Sequence, residues 1–163
     1  KDKRIRPVER TYVLFKHRID LGSDRRRQST FVETYLTQRG MTTPILAELK
    51  EAAAREKISA QEVDQALRYL VEQKRAHHID GECLGASVVD ACRTALLKAP
   101  AASGAGMTVA AFRDLVNGNR KICLLLLAIF DREGLTRRNG DLRVLTDKGR
   151  AEATALAGRK SAT

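Results

Sequence analysis

The chain has 163 residues, a net charge of +10 at neutral pH, 43% hydrophobic residues, 4% aromatic residues and no tryptophan. No segment approaches the ~20 apolar residues of a membrane helix, none reads as a secretory leader, and three widely spaced cysteines are no disulfide framework. The surplus of cations instead points to a polyanionic partner, and the scarcity of aromatics to Leu/Ala/Val-packed helices.

Charge is unevenly placed. Residues 1–27 carry +6, residues 28–103 carry −1, and residues 104–150 carry +4. A chain beginning at Lys1 reads as a piece of a longer protein. Residues 11–21, TYVLFKHRIDL, are β-rich with a turn at Lys16-His17, the end of an upstream winged-helix domain over residues 1–23. The basic stretch SDRRRQS marks a boundary.

Helices follow at 29–38, ending at Gly40, and from Pro44 through ILAELKEAAAREK. Ser59-Ala-Gln-Glu62 is a capping box. The helix it opens has Val63, Leu67 and Leu70 on one face. Asp80-Gly81 is the turn of a hairpin. Three helices and then a hairpin is the order of a winged helix, here over residues 24–86.

The same order repeats over residues 87–148. Residues 87–98 form a helix stopped by Pro100, Thr108 caps a short helix reaching Val116, and a third helix runs from Asn119 to Gly134. The hairpin after it reads LTRR-NG-DLRV, with Asn139-Gly140 as its turn. Residues 149–163 are small and polar, a flexible tail. The expected class is mainly α with small β-hairpins (α+β), arranged as tandem winged-helix domains.

The third helix of the second unit carries the candidate site. Ile122, Leu125, Leu126, Ile129 and Phe130 form an inner stripe. At roughly 100° per residue this places Arg120 on the opposite side, at the helix start. Free N–H groups and the positive end of the helix dipole make that turn a phosphate site. Asn119 caps the helix or donates its amide, and Gly118 lets another backbone approach. Lys121 adds a second cation. Arg137 and Arg138 alternate on a strand, so they face opposite ways, and Arg143 returns on the next strand. Isolated basic pairs are usually solvated, but two pairs expected to converge beside a helix start weigh against that reading. Leu124 and Leu127, on the outward side, are expected to pack against a neighbouring element.

At these residues the chain resembles a known family. Phe112-Arg113-Asp114-Leu115, Arg120-Lys121 and Gly134 through Leu145 are similar to the last winged-helix domain of the bacterial selenocysteine-specific elongation factors, SelB. Residues 24–100 resemble the preceding winged helix more weakly. The resemblance implies binding of the selenocysteine insertion stem-loop of selenoprotein mRNA, with RNA contacts at Arg120, Lys121, Arg137, Arg138 and Gly140. Gly118, Asn119 and Arg143 join them on the residue-level reading. It also implies that ribosome and selenocysteyl-tRNA are met through the full-length cytoplasmic factor. The chain lacks a GxxxxGK[ST] loop, so GTPase activity falls outside it. Where the family has Gly-Thr-Ser, this chain has Asn117-Gly118-Asn119.

Two other classes compete. A winged-helix transcriptional regulator would lay the third helix in a DNA groove, but Leu124 and Leu127 are poor readers of base edges. His77, His78, Cys83 and Cys92 match no zinc spacing, and adjacent strand histidines point apart. They read as surface histidines and buried cysteines. No catalytic group, metal or cofactor is expected, and the chain is expected to be a monomer.

Overall fold

A computed structural model describes residues 5–8, 11–42, 46–99, 102 and 104–160, with side chains between residues 22 and 158 of those ranges. Pro44 and Pro100, expected to shape helix ends, lie outside the described residues.

A hairpin opens the chain, β1 (Ile5–Val8) antiparallel to β2 (Thr11–Leu14). The turn expected at Lys16-His17 is not formed. Instead α1 begins at Phe15 and runs to Arg39, straight through SDRRRQS. Arginine and glutamine are good helix formers, so a basic stretch read as a boundary is continuous helix, and the limit expected at residues 23/24 falls inside it.

The first winged helix continues with α2 (Leu46–Arg55), α3 (Ala60–Glu72), β3 (Ala76–Ile79) and β4 (Glu82–Gly85). The capping box forms as read: Glu62 N–H donates to Ser59 Oγ at 3.3 Å, and Ser59 N–H donates to Glu62 Oε2 at 2.7 Å. Val32 and Leu36 of α1, Leu49 of α2 and Val63, Leu67 and Leu70 of α3 close one core.

The second comprises α4 (Ala86–Lys98), β5 (Met107–Thr108), α5 (Val109–Val116), α6 (Arg120–Arg132), β6 (Thr136–Asn139) and β7 (Leu142–Leu145). The strand order is β5-β7-β6. β5 was not legible in the sequence, since two residues carry no alternation. The chain then forms α7 (Asp147–Lys160), where a flexible tail was expected. Two features hold this helix. Thr146 Oγ1 accepts from Gly149 N–H at 3.2 Å, a cap of the first turn. Ala153 and Leu156 pack on the core of the second unit.

The two cores share one strand. All of β4 is buried. Cys83 belongs to the first core and Leu84 to the second, because consecutive strand residues face opposite sides. The second strand of the first wing is therefore consumed in packing, while His78 and the Asp80-Gly81 turn stay exposed. The wing of the second unit is open: beyond Thr136, β6 is exposed.

Candidate nucleic-acid interface

Asn119 is the N-cap of α6, and its Oδ1 accepts from Ile122 N–H at 2.9 Å. The side-chain oxygen is thereby used within the protein, leaving the amide nitrogen outward. Asn117 closes α5 in the left-handed conformation at φ 51°. Gly118 sits in a close-packed place within the protein itself. A Cβ there would lie 2.8 Å from Met41 Cε and 3.2 Å from Cys123 Sγ. The Asn-Gly-Asn turn is thus a joint seated on the chain that follows α1.

Arg120 is exposed and has no hydrogen-bond or ion-pair partner among the described residues. Lys121 is different. Its ammonium pairs with Glu82, on β4 of the first unit, whose side chain is 4% exposed. Lys121 carries charge that a buried carboxylate already neutralises. The inner stripe is buried as read, and so are Cys123 and Leu127. Leu124 departs from the expectation and is 43% exposed. The outward face of α6 therefore presents Arg120, Leu124 and Ala128, one turn apart.

The wing is tied to the other end of α6. Asp131, in the last turn, accepts from Thr136 Oγ1 at 2.6 Å and from Arg143 Nε at 2.9 Å. Arg143 is 13% exposed, so it fixes the wing instead of standing free. The sequence offered one unused signal for Asp131: an acid near a helix C-terminus opposes the dipole and calls for local cations.

The turn is shifted by one residue from the sequence reading. Asn139 pairs with Leu142, so the loop is Gly140-Asp141. Only Gly140, at φ 61°, has positive φ, the pattern of a type II′ turn, whereas Asp80-Gly81 is positive at both positions as type I′ requires. Register follows from this: Arg138 sits opposite Arg143, and Arg137 opposite Val144. Arg138 Nε donates to the Gly140 carbonyl at 2.9 Å, which draws its guanidinium over the turn. Arg137, on the other face, is exposed without a partner.

The structure thus brings Arg138, Gly140 and Arg143 together and groups Gly118, Asn119 and Arg120 apart from them. The wing is rooted at the end of α6 opposite Arg120, roughly 18 Å away along a helix of this length.

The remaining candidates gather no site. Among the described residues no three His, Cys, Asp or Glu side chains come together as metal ligands. Cys83, Cys92 and Cys123 are buried free thiols, and burial pushes Cys83 and Cys92 up to about 11. Burial also holds His77 below its ordinary value. Among the described residues no helix is long and apolar enough to cross a membrane.

Residues 101–145 match the family model described as elongation factor SelB, winged helix. No curated protein sequence matches the chain. The mRNA-binding domain of elongation factor SelB from E. coli, solved in complex with SECIS RNA, superposes with a TM-score of 0.58 at 20% identity, over 74% of this chain and 98% of that one. A bacterial selenocysteine-specific elongation factor, EF-Sec, gives a TM-score of 0.59 at 17% identity, over 87% of this chain and 22% of that one. At these identities the likeness is one of fold, and the chain spans about a fifth of the EF-Sec structure.

Proposed function

We propose that this chain, whose residues 101–145 match the family model of the elongation factor SelB winged helix, uses that unit to bind the selenocysteine insertion stem-loop of selenoprotein mRNA. The observation that carries the reading is the asymmetry between the wings. The first has its strand β4 buried between two cores and carries no lysine or arginine, whereas the second has an exposed β6 that bears Arg137 and Arg138 and is tied to α6 by Asp131. The neighbour solved with SECIS RNA supports the choice of ligand.

On this reading Arg120 and the N–H groups at the start of α6 take phosphate or an exposed loop base, since arginine matches either with its planar fork. Arg137 and Arg138 hold the strand passing the wing, while Gly140 lets backbone come close to the turn. Asn119, Gly118, Lys121 and Arg143 set the geometry. An A-form stem hides its major-groove edges, so sequence is read at a loop or bulge. The role needs no cofactor and is one of binding, not catalysis. A full-length factor would act as a monomer in the cytoplasm, carrying selenocysteyl-tRNA to the ribosome.

A transcriptional regulator is the competing reading. The outward face of α6 disfavours it, because Leu124 and Ala128 have no hydrogen-bonding groups for base edges. Competition binding separates the two. A labelled selenocysteine insertion stem-loop should bind with steep salt dependence and resist displacement by duplex DNA. Displacement by duplex DNA at equal concentration overturns the proposal.

A further inference from the structure

A second basic surface lies on the first winged-helix unit. Between α1 and α3 is a cleft of about 810 Å³. From α1 it is lined by Gly22, Arg25, Arg26 and Ser29, spaced i, i+3, i+4 and i+7 along one helix face, with Gln28 and Thr30 beside them. On α3, Gln65, Arg68, Tyr69 and Glu72 repeat that spacing. The faces meet because Val63, Leu67 and Leu70 pack the other side of α3 into the core.

Three of the four arginines lining this cleft are free, whereas the fourth, Arg75, and neighbours outside it are not. Arg27 donates to the Glu56 carbonyl at 2.6 Å, Arg39 pairs with Glu48, and Arg75 pairs with Glu33. Arg25, Arg26 and Arg68 are exposed and have no such partner among the described residues. Glu72 is the single acid in the lining. Tyr69 is 47% exposed, a large ring left in water in the same lining as these three cations. Ser29 is 9% exposed and its hydroxyl has no protein partner among the described residues.

A cationic groove with an exposed aromatic ring is what binds single-stranded nucleic acid: the cations follow the backbone and the ring stacks a base. We propose that the α1–α3 cleft is a second nucleic-acid site, taking a single-stranded stretch with its phosphates on Arg25, Arg26 and Arg68 and a base on Tyr69. It is separate from α6 and its wing, so the chain can hold a stem-loop and an unpaired strand at once.

The test uses the whole chain and a fluorescent oligouridylate, with binding followed by anisotropy. The combined variant Arg25→Ala, Arg26→Ala, Arg68→Ala should bind it at least tenfold more weakly and with a flatter salt dependence. Tyr69→Ala should lose about 5- to 150-fold, the worth of one stacked base, and Tyr69→Phe should retain affinity. Unchanged stem-loop binding and circular dichroism show that the fold is intact. Oligothymidylate in parallel tells whether the strand is RNA or DNA, and either result retains the site. The proposal is overturned by unchanged oligouridylate affinity in the combined variant, by loss that follows Arg120→Ala instead, or by equal displacement with polyglutamate, which marks a protein-docking patch. Should stem-loop binding itself fail, loss of oligouridylate in the cleft variants still stands as an independent result.

Discussion

Lys121 at the start of α6 pairs with Glu82 on the wing of the other winged helix, joining an exposed cation to a buried carboxylate. The other oxygen, Glu82 Oε2, is buried without a partner among the described residues. Lys121→Ala leaves that carboxylate wholly unpaired, so the chain should lose about 1–3 kcal/mol of stability. The double variant Lys121→Ala, Glu82→Gln should regain part of it. Urea unfolding checks both, and equal stability of Lys121→Ala and the native chain would show that the pair contributes nothing.

Arg120 and Arg143 should respond oppositely. Arg120 is exposed and unpartnered, so Arg120→Ala should weaken stem-loop binding by roughly 1–3 kcal/mol and leave the unfolding midpoint in place. Arg143 is bonded to Asp131. Its replacement by alanine should lower stability first and binding through the loosened wing, and Asp131→Asn should do the same more mildly. Affinity that survives Arg120→Ala in a folded protein rules out the helix start as the site.

Gly149 tests the terminal helix. A Cβ there would lie 2.3 Å from the Leu135 carbonyl oxygen, a backbone atom that cannot swing aside. Alanine ordinarily favours a helix over glycine by about 1 kcal/mol. Here Gly149→Ala should cost about 1–3 kcal/mol, the usual range for overpacking. A rise in the denaturation midpoint would mean that α7 does not dock on Leu135 as described.

His77 predicts a pH dependence. Burial is the largest cause holding its pKa below 6.5, with the nearby Glu133 opposing and Arg93 reinforcing the shift. The unfolded chain therefore binds more protons there, so stability rises with pH. The contribution is fully present above 6.5 and is lost as pH falls through the lower folded value. Unfolding of the native chain and of His77→Gln at pH 7.5 and about 5.5 should show a smaller loss in the variant. Identical losses would remove His77 as a source.

The sequence by itself determined the two helix–helix–helix–hairpin units, the capping box at Ser59 and Glu62, and the outward setting of Arg120. Each rests on local periodicity or capping, which a short window of residues contains. Tertiary structure decided which cations are free. Lys121 and Arg143 look like Arg120 and Arg137 in the chain, and only the approach of Glu82 and Asp131 neutralises the first two. Arg68, in a segment that sums to −1, likewise lines a basic cleft, because packing brings it to the same cleft as Arg25 and Arg26, more than forty residues away. Charge along a chain sums locally, whereas potential at a surface depends on which distant side chains are brought together, and that is fixed only by packing.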